Sequence, residues 1–165
     1  MTRRLAPLLA FALASCGLHP LYSGGGAGSV AATLRTVEVG PIEGQVGWLV
    51  RNKLVDRLGA TGTATPQYRL DVKLDDNITG FGIRGDRAAT RERRTLRARY
   101  QLVSISSGTV VLDATAGSDA GIDVVSSEYA TVAAEQTAAE RLSDVVADQI
   151  VARLGQFASH PAAAQ

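Results

Sequence analysis

The chain has 165 residues, 45% of them hydrophobic and 20% charged, an ordinary globular balance with length for one domain and a real core. A formal net charge of +1 excludes nucleic acid as a dominant partner, because counterion release needs clustered positive charge. One cysteine excludes an intramolecular disulfide, and beside only two histidines it argues against a structural zinc site.

The first element in chain order is a targeting segment. Arg3 and Arg4 precede the apolar stretch Leu5–Ala14, broken only by Pro7. At about 1.5 Å per residue that stretch spans roughly 15 Å, half a bilayer core, too short for a transmembrane helix. A basic start, a short apolar region and small residues behind it describe a secretory signal peptide. Leu13-Ala14-Ser15-Cys16 also resembles the bacterial lipobox, where the cysteine sulfur takes up diacylglycerol and the peptidase cuts just before it. Cys16 is therefore the expected lipidation site, and cleavage there removes Arg3 and Arg4 with the slight basic excess. A diacylated or triacylated cysteine supplies the more than one acyl chain that stable anchoring needs. Gly17 behind it, in place of Asp, favours the outer membrane, on its periplasmic side. A catalytic role for this thiol is disfavoured, since nothing nearby reads as a folded pocket that would lower its pKa.

Ser23–Ala32 reads as a flexible glycine-rich tether. A strand is expected over about 34–39, ending at Gly40-Pro41. Residues 45–58 carry a helical stripe through Val46, Val50, Leu54 and Leu58, with Gly59 as the C′ residue. Tyr68-Leu70-Val72-Leu74 alternates with Arg69-Asp71-Lys73-Asp75, a half-buried strand, and Leu96-Ala98-Tyr100-Leu102 repeats the pattern. Ser106-Ser107-Gly108 is a turn signal, followed by a strand over 109–116. A long helix is expected over 127–154, capped by Ser127, stopped at Gly155, and burying Val132, Ala139, Leu142, Val146, Ile150 and Leu154. The domain division is thus a signal peptide over 1–15, a lipidated anchor and tether over 16–32, an α/β domain over 33–157 and a disordered tail over 158–165. The fold class is α+β, a two-layer sandwich with two helices on one face of a four-stranded sheet, in the order β-α-β-β-β-α. Its other face is polar, towards solvent or a partner.

Gly80-Phe81-Gly82-Ile83-Arg84-Gly85 matches the dinucleotide fingerprint G-x-G-x-x-G. It follows an alternating strand and no helix opens after it, so a glycine-rich hairpin loop is the better reading. The next stretch is basic: Arg84, Arg87, Arg91, Arg93, Arg94, Arg97 and Arg99, offset by Asp86 and Glu92. Strand periodicity puts Arg91, Arg93, Arg97 and Arg99 on one face, beside Arg69 and Lys73. Two readings stay open: a solvated face with Asp71 and Asp75 pairing some arginines across the ladder, or a site for a polyanion gripped by bidentate guanidinium contacts. No catalytic set can be assembled, because His19 lies in the anchor region and His160 in the tail, and Asp75 and Asp76 point to opposite faces. Asp76, on the apolar side, is expected at an edge or in a loop. No enzyme activity, cofactor or metal is expected.

Cys16-Gly17-Leu18-His19-Pro20-Leu21-Tyr22 resembles the C-G-F/L-x-P-L-Y start of the lipopolysaccharide-assembly lipoprotein family LptE, in its alphaproteobacterial type. The element order is similar too, as are Arg87-Ala88 followed by Leu96-x-Ala98-x-Tyr100-x-Leu102, then Gly108, Val111-Leu112, and the helix start Glu128-Tyr129-Ala130. The resemblance implies a non-enzymatic subunit that plugs and helps assemble the LptD β-barrel protein and binds lipopolysaccharide for delivery to the cell surface. It associates lipopolysaccharide contact with basic residues around the hairpin, the region that Arg87 and Arg91 match; Arg93, Arg97 and Arg99 join them by strand phase. Two other lipoprotein roles compete: an auxiliary subunit of a phospholipid-transporting ABC or MCE-type system, and an activator of a peptidoglycan synthase.

Overall fold

A computed structural model describes residues 28–60, 64–83 and 89–159. The elements run α1 (Ser29–Leu34), β1 (Val37–Val39), α2 (Gly44–Leu58), β2 (Tyr68–Ile83), β3 (Ala89–Ser104), β4 (Val110–Asp123) and α3 (Glu128–Ser159). The four strands form one sheet in the order β1-β2-β3-β4. β1 pairs parallel with the start of β2, Val37 opposite Tyr68, while β2, β3 and β4 form antiparallel ladders. The expected α+β architecture is present, with α1 as an additional element.

That short helix occupies part of the expected tether. Ser29–Leu34 coils because Leu34 is buried and Val30 packs against the core, so β1 begins at Val37 and not near 34. Six residues rarely hold a helix alone, and packing supplies what propensity lacks. The strands also run longer than alternation predicted. β2 continues through Gly80-Phe81-Gly82 to Ile83, and Gly80 lies opposite Glu92. Asp76, expected at an edge or in a loop, sits inside β2.

α2 ends as predicted: Gly59 adopts φ 64° and its N–H reaches the Asp56 carbonyl, the left-handed cap that suits glycine. α3 begins behind Ser127, whose Oγ accepts from the Ala130 amide at 3.4 Å. It does not stop at Gly155, which is buried within the helix. One half-turn further Phe157 stacks edge-on against Tyr68, centroids 5.8 Å apart, and this contact carries the helix past its weakest former.

α2 and α3 run parallel at a constant sequence offset. Gln45 meets Gln136, Lys53 meets Asp144 at 2.7 Å and Arg57 meets Asp148 at 2.6 Å, each pair separated by 91 residues. Element lengths then decide the shape of the core. α3, with 32 residues, extends about 48 Å. β2 and β3, with 16 residues each, reach a similar span of about 50 Å. α2, with 15 residues, covers only about 22 Å. The sheet end near β1 is therefore overlaid by two helices side by side, and the hairpin end by α3 alone. Val50, Leu54, Leu70, Leu102, Tyr100, Val146, Ile150 and Leu154 fill the first, proximal half. In the second, distal half Ile122 is buried apart from this core, while Ile78, Tyr129 and Val132 are exposed.

β4 forms one edge of the sheet. Gly117 directs its backbone groups outward, and the Gln149 side chain takes both: the Gly117 N–H donates to Oε1 at 2.9 Å, and Nε2 donates to the Gly117 carbonyl at 3.3 Å. An amide side chain thus stands where a further strand would pair.

Candidate functional site

β3 lies between β2 and β4, so every side chain on its helix-free face has neighbours on both sides. The ladder sets Arg91 between Phe81 and Asp123, Arg93 between Thr79 and Gly121, Arg97 between Asp75 and Gly117, and Arg99 between Lys73 and Thr115. The predicted phase holds: these four arginines share the face away from the helices with Arg69 and Lys73. Arg87 and Cys16, also expected to act, lie outside the described residues.

The pairing partners differ from those expected. Asp71 binds Arg69 two positions away on its own strand, at 3.0 Å, and reaches none of the β3 arginines. Asp75 lies opposite Arg97, but Arg97 turns the other way. The carboxylates that engage the arginines come from β4: Asp123 to Arg91 at 3.1 Å, Asp119 to Arg97 at 3.8 Å and Asp113 to Arg99 at 3.0 Å. Arg97 also donates to the Ser118 carbonyl at 2.9 Å. It lies across Gly117 to do so, where an added Cβ would come within 2.5 Å of its Cδ. Hydrogen bonds from Arg99 first, then Gln101, hold the Asp113 carboxyl below the usual carboxylate range. All three pairs are open to solvent, where screening and side-chain entropy leave little net stabilisation.

Arg93 is different. Among the described residues it has no carboxylate partner, and its guanidinium carbon stands 5.6 Å from the centroid of the Phe81 ring. Between Arg97 and Arg99, Lys73, Thr115 and Gly117 line a shallow depression of about 710 Å³.

The covered face holds a polar cluster that sequence reasoning missed. Arg94 pairs with Asp76 at 2.6 Å, their side chains 12% and 26% exposed. A second guanidinium nitrogen donates to the Glu135 carbonyl at 2.9 Å, tying the start of α3 to the sheet. One carboxylate oxygen of Glu92, Oε2, is buried with no hydrogen-bond partner among the described residues. The even-numbered phase shared by Asp76, Glu92 and Arg94 with Leu74 and Leu96 was the available signal. It places all three side chains under the sheet.

Residues 34–154 match the family model LptE, described as lipopolysaccharide-assembly. No curated protein matches the chain in sequence. Among solved structures, a lipoprotein candidate from Caulobacter crescentus superposes with a TM-score of 0.66 at 24% identity, over 81% of this chain and 98% of that one. A minor lipoprotein from Acinetobacter baumannii gives 0.56 at 14% identity, over 73% and 91%. Rare lipoprotein B from Shewanella oneidensis gives 0.53 at 10% identity, over 76% and 96%. At these identities the likeness is one of fold.

Proposed function

The chain belongs to the LptE lipopolysaccharide-assembly family, and from that premise we propose that it is a lipid-anchored, non-enzymatic subunit of the lipopolysaccharide translocon at the periplasmic side of the outer membrane. Cys16 carries the acyl chains, and the residues behind it tether the domain. The folded unit plugs and helps assemble the LptD β-barrel and binds lipopolysaccharide through the arginine face of β3.

The family match over residues 34–154 is the observation that carries this reading. The geometry supports it in two ways. A sheet whose helix-free face carries Arg69, Lys73, Arg91, Arg93, Arg97 and Arg99 suits an aqueous barrel lumen, where an apolar face would demand a dry partner. Arginines presented in a row, with Arg91, Arg93, Arg97 and Arg99 on one surface, suit a ligand bearing several phosphates.

The test is purification of the full chain from detergent-solubilised outer membranes. A stable complex with a large β-barrel protein, together with an acylated N-terminal peptide beginning at Cys16, is the expected result. Recovery with an inner-membrane ATPase or a penicillin-binding protein instead would replace this reading with one of the two competing lipoprotein roles.

A further inference from the structure

We propose that Arg93, and not its aspartate-paired neighbours in the row, is the principal phosphate ligand of this face, held ready by Phe81 and left open by Gly121. The inference deepens the proposed function and rests on its lipopolysaccharide reading.

The observation is a break in a repeating pattern. Along β4 the residues facing the arginines run Asp113, Thr115, Gly117, Asp119, Gly121 and Asp123. Arg91, Arg97 and Arg99 each take one of those aspartates, at 3.1, 3.8 and 3.0 Å. An incoming phosphate must displace a carboxylate already bound there, so part of its binding energy is spent on that exchange. Arg93 sits opposite Gly121, and the carboxylates diagonal to it, Asp119 and Asp123, are engaged by Arg97 and Arg91. Among the described residues no acid remains for it to leave.

Two further features make Arg93 a receptor and not merely a loose side chain. Its guanidinium carbon lies over the Phe81 ring, 5.6 Å from the centroid, within cation–π range. A ring takes up no N–H donor as a carboxylate would, so this contact restrains the side chain and leaves its donors for a bidentate phosphate contact. Beside it, a Cβ built on Gly121 would meet nothing within 4 Å, so there is open space where the other arginines have an acidic neighbour. The matching ligand chemistry is a phosphate monoester on a glycolipid headgroup.

Gly121 supplies a test that leaves Arg93 in place. Its backbone is not in the left-handed region and the space is empty, so Gly121→Asp adds the missing carboxylate without a clash. The full chain in detergent is titrated with lipopolysaccharide and with the same lipopolysaccharide chemically dephosphorylated. Thermal unfolding of each variant checks that the fold is kept. Arg93→Gln and Gly121→Asp are each expected to weaken binding of the phosphorylated form about tenfold or more and to erase the preference for it, the effect of losing one charge-assisted bidentate contact. Arg97→Gln and Arg99→Gln are expected to weaken it by no more than about threefold, as for exposed arginines already paired. If the wild type binds and Arg93→Gln binds as well as it does, the inference falls and the proposed function stands. The same holds if Arg97→Gln or Arg99→Gln costs more than Arg93→Gln, which would move the site to the depression between them. If the wild type binds neither form, the lipopolysaccharide reading falls and the inference with it.

Discussion

The proximal and distal halves of the molecule are built from the same strands and the same long helix, yet they differ in what holds them. In the proximal half α2 lies beside α3, and Leu54, Leu70, Leu102, Ile150 and Leu154 are each no more than 1% exposed. In the distal half α2 is absent, Ile78 is 39% exposed, and the sheet is tied to α3 by Arg94. A sheet needs its full width covered to bury an apolar face, and one helix cannot do that alone. The distal end therefore substitutes an ion pair and a carbonyl contact for apolar packing. It is also the end whose free face carries Arg91 and Arg93, so stability and candidate binding are kept apart along the sheet.

The largest test of this contrast is in the proximal core. Leu54→Ala or Ile150→Ala should cost about 2–5 kcal/mol in urea unfolding, because each removes a side chain fully enclosed by helices and sheet. Ile78→Ala should cost under about 1 kcal/mol, since its side chain is partly in water already. Equal losses at the two ends would break the comparison.

Next in size is Arg94→Gln. It leaves Asp76 half-buried without its cation and removes the bond to the Glu135 carbonyl, a loss of about 1–3 kcal/mol. Hydrogen exchange should locate the effect, with amides in the first turns of α3 exchanging faster and those around Leu54 unchanged. A smaller change of opposite sign is expected at Glu92. Replacing it by Leu removes a buried carboxylate oxygen that has no partner, and should raise the unfolding midpoint by the equivalent of about 1 kcal/mol.

The smallest effect is a pH dependence of the helix pair. Hydrogen bonds from Lys53 first and then Arg57 hold the Asp144 carboxyl below its ordinary value of 3.8. The depressed group stabilises the fold fully above that ordinary value and loses its contribution as pH falls through the lower native one. The pair is partly exposed, so the change should stay below about 1 kcal/mol. Acid titration of stability should show it in the wild type and not in Asp144→Asn.

Sequence periodicity made the layers legible. The stripe Val50-Leu54-Leu58, the cap at Gly59, the alternation around Tyr68 and Tyr100, and the spacing from Ala139 to Leu154 each follow from which side chains must leave water. What it missed has identifiable causes. Ser29–Leu34 has too few residues to show a period, and Gly155 reads as a stop until Phe157 finds Tyr68. The arginine partners were hidden by register. The ladder between β3 and β4 shifts by one at Leu102/Val103, so counting back from the Ser106-Ser107-Gly108 turn misplaces every opposing residue by one.

The sequence by itself determined that Arg91, Arg93, Arg97 and Arg99 share a face, because alternation is a property of the single strand. Only the tertiary structure decided which of them are occupied. Pairing depends on what a neighbouring strand presents at the same height, and that strand offers Asp123, Asp119 and Asp113 to three arginines and Gly121 to the fourth.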